Sequence, residues 1–188
     1  MTNDTATTDG LAPAEGMAAR LVAEHTALIP DFPKPGIVFR DLTPVFADGA
    51  ALRAVTDELV APFVGEIDAV AGVEARGFLL AAAAAYSLGL GVVVIRKPGK
   101  LPREVVSESY DLEYGSASLE LQPADLPAGS RILLLDDVLA TGGTLAASAT
   151  LVERAGWVVA GVSVVLELDG LGGRAALPGR AIRSISVV

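Results

Sequence analysis

Apolar positions along the chain come in two kinds of pattern. Segments in which apolar residues dominate occur at Ile67 to Val73, Val92 to Ile95, Ile132 to Leu135 and Trp157 to Glu167. Such runs suit parallel strands buried on both faces. Between them, apolar residues recur at spacings of three and four. Asp48 to Pro62 carries Leu52, Val55, Leu59 and Val60 as a stripe, while Phe78 to Leu88 is rich in alanine. Leu145 to Ala155 and Met17 to Leu28 also predict helices, the latter with Met17, Leu21 and Leu28 near one face. Alternation of strand and helix predicts an α/β fold, a mainly parallel twisted sheet flanked by helices.

The remaining segments are punctuated differently. Pro30, Pro33, Pro35 and Gly36 force an extended, turning stretch before a short strand at Ile37 to Phe39. Pro98 to Asp111 is polar and broken by prolines, which predicts a long mobile loop. Tyr114 to Gln122 alternates and suits a hairpin strand. Residues 1–16 lack periodicity and predict a disordered extension, leaving 17–188 as one domain.

Gly77 to Ile95 contains no charge and approaches membrane-spanning length. Gly89 and Gly91 divide it into a buried helix and a buried strand, so no membrane contact is expected. The formal net charge of −9 argues against nucleic-acid binding. With no cysteine and one histidine, His25, thiolate and multi-histidine metal centres are excluded. His25 is expected to be a surface or packing residue, and Trp157 to serve packing. The acidic, polar first ten residues are unlike a secretory signal, and a cytoplasmic setting is expected.

Chemistry concentrates at Arg131 to Thr144, RILLLDDVLATGGT. Asp136 and Asp137 follow an apolar run, at the strand end where open α/β sheets bind ligands. Ala140, Thr141, Gly142, Gly143 and Thr144 then offer backbone N–H groups and two hydroxyls at a helix start, a ready anion site. No lysine follows the glycines, so this is not the nucleotide-binding loop ending in Gly-Lys-Ser/Thr. Glu74, Ala75, Arg76 and Gly77 form a second strand-to-helix turn, with Arg76 as a positive fork. Arg96, Lys97, Lys100 and Arg103 are the densest cationic run in an acidic chain. Phe39, between Val38 and Arg40, could stack on a flat base, and Glu113 beside Tyr114 could exchange a proton.

The segment 131–144 resembles the 5-phosphoribosyl-1-pyrophosphate (PRPP) motif of type I phosphoribosyltransferases. Four further strings, DFPKPGIVFRDLTPVF, GVEARGF, RKPGKLP and SYDLEYG, make residues from about Leu28 onward similar to the adenine phosphoribosyltransferase family. The resemblance implies a type I fold with a small N-terminal hood and a flexible loop that closes over the site. It implies adenine and PRPP as substrates, Mg²⁺ held mainly by PRPP and water without direct protein ligands, and a homodimer. Residues 140–144 would grip the 5-phosphate, and Asp136 and Asp137 the ribose hydroxyls. Glu74 to Gly77, Lys97, Lys100 and Arg96, the last reaching toward a neighbouring subunit, would meet pyrophosphate. Val38, Phe39 and Arg40 would hold adenine, with Glu113 as acid/base at the purine N7. Two alternatives stay open: a 6-oxopurine enzyme, disfavoured because Glu167 to Gly173 lacks the lysine such families use, and a PRPP-sensing regulator.

Overall fold

The computed structural model describes residues 16–111 and 116–188. Five parallel strands form the central sheet in the order β4-β3-β7-β8-β9: Gly91–Ile95 (β4), Ala69–Val73 (β3), Arg131–Leu139 (β7), Val158–Glu167 (β8) and Ile182–Val187 (β9). Chain order runs outward in both directions from the β3–β7 boundary. That boundary is therefore a topological switch point, where loops diverge and leave a crevice.

Side chains on β7 alternate between two cores, as a pleated strand requires. Leu133 and Leu135 pack with helices Met17–His25 (α1), Thr43–Ala47 (α2), Gly49–Val60 (α3) and Gly77–Leu88 (α4). Ile132 and Leu134 pack with helix Gly143–Arg154 (α5) on the other face. Asp48 begins α3 by accepting a hydrogen bond from the Ala51 amide at 2.8 Å, so this helix has a side-chain cap. Gly72 lets α4 lie close on β3: a methyl there would stand 2.6 Å from the Gly77 carbonyl oxygen.

Two antiparallel pairs flank the sheet. Ala27–Pro30 (β1) pairs with Val38–Asp41 (β2), forming the expected hood. Val106–Asp111 (β5) pairs with Ser116–Leu121 (β6), and Arg96 bridges to Glu120. Thus Val106 onward is strand, where polarity and prolines predict loop. Its register puts Ser109 opposite Ser118, whose hydroxyls bond at 2.8 Å, and a ladder of this kind leaves no apolar signature.

Other differences have local causes. α1 ends at His25 because Ala27 to Pro30 is drawn into the hood, and its buried residues are Ala18 and Val22 rather than Met17 and Leu28. β7 continues four residues beyond Leu135, since Asp136, Val138 and Leu139 keep pairing with β8. α2 and β9 lie outside the elements the hydrophobic pattern predicts; β9 is mostly half-buried and carries Arg183, Ser184 and Ser186 among its six residues. The expected disordered extension falls, except for Gly16, outside the described residues. No described helix is long and apolar enough to cross a membrane.

Candidate active site

The switch point assembles four of the sequence-predicted groups. Residues 140–142 leave β7 and turn into α5 at Gly143, with Gly142 at a φ of +83°. Asp136, Ala140, Thr141, Gly142, Gly143 and Thr144 line a concavity of about 80 Å³. The amides of the first helical turn have no intrahelical acceptor, so this concavity favours an anion. Gly142 is required twice over. Its φ is left-handed, and a methyl would stand 2.5 Å from the Gly173 carbonyl oxygen.

Beside it lies a larger, mostly apolar cavity of about 260 Å³, lined by Ile37, Val38, Phe39, Arg40, Arg76, Val138, Ala140 and Leu168. The Phe39 ring meets Phe32 edge to face, with centroids 5.2 Å apart. Arg76 lays its guanidinium over the same ring at 5.6 Å. Val138 and Ala140 border both the concavity and the cavity.

Arg76 also joins the two acids to the second turn. Its Nε lies 2.6 Å from Asp137 Oδ2, which is buried and lacks an aligned hydrogen bond. Gly77 makes the approach possible, since a methyl there would be 2.7 Å from the Leu135 carbonyl oxygen. Asp136 has no such cation in contact; its Oδ1 accepts from the Asp137 amide at 2.9 Å. Burial first, and then the charge of Asp137, push its carboxyl well above the usual aspartate range.

The cationic run is only partly free for a ligand. Glu74 accepts from the Lys97 amide at 3.0 Å and from Arg96 Nε at 3.3 Å, and these contacts hold its carboxyl below the ordinary value. The Glu74 carboxylate thereby ties the turn to the end of β4. Arg96 further donates to the Lys100 carbonyl and lies 5.9 Å from the Phe78 ring. Lys97 and Lys100 are exposed. Arg103 is drawn away to Asp125 at 2.5 Å. Glu113 lies outside the described residues. Among the described residues no three Asp, Glu or His side chains converge as a metal-binding group. Asp136 and Asp137 form a two-carboxylate set, suited to a hard cation that brings most of its oxygen ligands with it.

Several contributors carry no sequence signal of their own. Ile37, Val138 and Leu168 are ordinary apolar residues until the fold brings them to one cavity. Glu167 is buried and takes a fork from Arg174 (Nε at 2.7 Å, Nη2 at 2.7 Å) plus the Ser184 hydroxyl at 2.6 Å. The Arg174 fork, then Ser184, lower the Glu167 carboxyl below its usual range. This brace fixes the segment that presents Leu168, whose amide bonds the Leu139 carbonyl at 2.9 Å. His25 Nδ1 donates within its own helix to the Leu21 carbonyl, and Trp157 is buried with its Nε1 donating to the Leu126 carbonyl.

Residues 46–175 match the phosphoribosyl transferase domain. The chain is 68% identical over 166 residues to an adenine phosphoribosyltransferase of Arthrobacter sp., covering 88% of this chain and 90% of that one. It is 70% identical over 159 residues to one of Renibacterium salmoninarum, covering 85% and 87%. Its structure is similar to that of adenine phosphoribosyltransferase from Thermoanaerobacter pseudethanolicus, with TM-score 0.86 and 44% identity over 90% of this chain and 99% of that one. It is also similar to the Saccharomyces cerevisiae enzyme complexed with an imino-altritol bisphosphate and adenine, with TM-score 0.84 and 36% identity over 90% and 98%.

Proposed function

We propose a reaction from one premise: the chain belongs to the phosphoribosyltransferase family. It is an adenine-specific member, transferring the 5-phosphoribosyl group of PRPP to adenine and releasing AMP and pyrophosphate. One observation carries this reading. A phosphate-sized concavity and a flat apolar cavity share Val138 and Ala140, with Asp136 and Asp137 alongside. A sugar bridging the two would have its C1′ toward the cavity and its 5-phosphate on residues 140–144.

The bond from adenine N9 to C1′ forms as the bond from C1′ to the pyrophosphate oxygen breaks. The electron pair leaves with pyrophosphate, and adenine gives up one proton. Asp136 and Asp137 accept hydrogen bonds from the ribose hydroxyls and face the positive charge that develops at C1′. Arg76, the turn 74–77, Lys97, Lys100 and Arg96 offset the negative charge of the leaving group. Phe39 offers its face to the base, flanked by Val38 and Arg40. Glu113 exchanges the proton at the base. The chemistry that magnesium supplies when bound is neutralisation of the diphosphate, and Asp136 and Asp137 would hold its water shell.

Leu168, not a lysine, borders the base cavity, which favours adenine over a 6-oxopurine. Two copies pair in this proposal through the outer face of α4 and the edge strand β4, where Leu79, Tyr86 and Val92 are exposed. The setting is the cytoplasm, where charged phosphate esters are retained. The test is turnover of purified protein with PRPP, magnesium and each purine in turn. Adenine should be consumed far faster than hypoxanthine, guanine or xanthine. Comparable use of a 6-oxopurine would overturn the base assignment. Binding of PRPP without turnover of any base would favour a sensor.

A further inference from the structure

Tyr110 has no part in the reaction as described, yet its hydroxyl bonds a residue that lines the phosphate concavity. Thr144 Oγ1 donates to it at 3.2 Å. The tyrosine sits on β5 and packs its half-buried ring against the core that α5 covers. The other end of the same strand is also tied to α5. Arg154 pairs with Glu108 at 2.6 Å and donates to the Ser107 carbonyl at 2.9 Å. β5 therefore spans the length of the helix whose first turn holds the anion site.

The proton count at this contact is informative. Each hydroxyl has a single proton, and the heavy-atom geometry favours Thr144 as the donor of this bond. A phosphate dianion can only accept. When it occupies the concavity, Thr144 must turn its proton to the phosphate. The phenol then has a proton of its own to give, either to the vacated lone pair of Thr144 or to a phosphate oxygen. A phenylalanine could do neither.

We propose that Tyr110 is a positioning residue for the 5-phosphate, holding the Thr144 hydroxyl at the concavity and reversing the direction of their hydrogen bond when phosphate binds. This inference rests on the phosphoribosyl-transfer reading. It also gives β5 a second meaning, because Glu113 follows Tyr110 by three residues along the chain.

The test uses the full-length chain and titrates ribose 5-phosphate and pyrophosphate separately. Tyr110→Phe removes one oxygen atom and leaves the ring in place, and an unchanged unfolding temperature establishes that the fold is kept. The variant should bind ribose 5-phosphate about tenfold more weakly, with KM for PRPP raised in step, as expected for losing a hydrogen bond in a network around a charged group. Its affinity for pyrophosphate and its KM for adenine should stay at the wild-type values, which a general structural defect would not spare. Tyr110→Phe combined with Thr144→Ala should be no worse than Thr144→Ala alone, because one residue acts through the other. Wild-type affinity for ribose 5-phosphate in Tyr110→Phe, or additive losses in the double variant, overturns the proposal. If the wild-type protein itself fails to bind ribose 5-phosphate, the phosphoribosyl reading falls and this inference with it.

Discussion

Adding one methyl group at Gly173 should damage PRPP use more than it damages stability. Gly173 starts the short turn Gly173–Ala176 and packs under the phosphate loop. A methyl there would stand 2.8 Å from two side-chain carbons of Leu139 and closer still to the Ala140 carbonyl oxygen. Carbon atoms settle at about 3.5–4.0 Å, so something must yield by ~0.7 Å or more. Leu139 is fully buried and Ala140 is backbone of the anion site, so the loop itself has to move. Overpacking of this kind costs about 1–3 kcal/mol. For a chain of this size that lowers Tm by roughly 2–12 °C. A shift approaching 1 Å in a positioning element can cost on the order of 10²-fold in rate, so kcat/KM for PRPP should fall at least about tenfold. Gly170→Ala is the matched control. Gly170 lies in the same segment with a φ of +77° and nothing within 4 Å of the added methyl. It suffers backbone strain of about 1–2 kcal/mol without pushing on Ala140. Differential scanning calorimetry and initial rates at varied PRPP separate the two effects. If Gly173→Ala keeps kcat/KM for PRPP within twofold of wild type, or if both variants lose it equally, residue 173 does not set the loop's position.

Asp136→Asn should stabilise the ligand-free protein near neutral pH while removing most activity. The raised folded pKa means that the native state holds its proton more tightly than the unfolded chain. Ionising Asp136 thus costs stability as pH rises above the ordinary value of 3.8, and the amide escapes that cost. Tm of the two proteins compared at pH 7 and at pH 3 checks this, and an equal difference at both would contradict it. Asp68 should behave in the opposite sense. Hydrogen bonds from the Arg131 side chain and amide lower its pKa to about 2. Its contribution is present above 3.8 and lost as pH falls toward 2, so Asp68→Asn should be destabilising at pH 6 and neutral at about pH 2 by urea unfolding.

The groups proposed to bind anions were legible because their chemistry is local. Asp136, Asp137 and residues 140–144 are contiguous, and a strand end followed by a helix start puts contiguous residues on one crevice. The same holds for Glu74 to Gly77. What escaped detection depends on distant pairing. β5 has Ser107 and Ser109 where an amphipathic strand would show apolar residues, and only its partner β6 reveals it. β9 joins the sheet by pairing with β8, and its own pattern is too polar to announce a strand. Leu168 and Val138 become base-cavity residues through β7 running on past Leu135, a continuation that two adjacent carboxylates conceal. The ion pair between Arg76 and Asp137 joins residues from separate strand ends and has no trace in either motif.

The switch point between β3 and β7 also has a consequence in time. β7, β8 and β9 are consecutive strands joined by connections of 18 and 14 residues (140–157 and 168–181), so their pairing closes smaller loops. Joining β3 to β7, with Ala69 opposite Ile132, closes one of about sixty residues that contains β4 and the β5–β6 pair. Contacts between distant segments tend to form late, because their closure entropy precedes any reward. Arg76 and the turn 74–77 belong to one side of that seam, and Asp137 and residues 140–144 to the other. If these residues bind PRPP as proposed, competence requires the seam to be shut, and a chain with its secondary structure already in place would still be inactive. In a refolding experiment the recovery of turnover should follow the β3–β7 junction, trailing the far-ultraviolet signal.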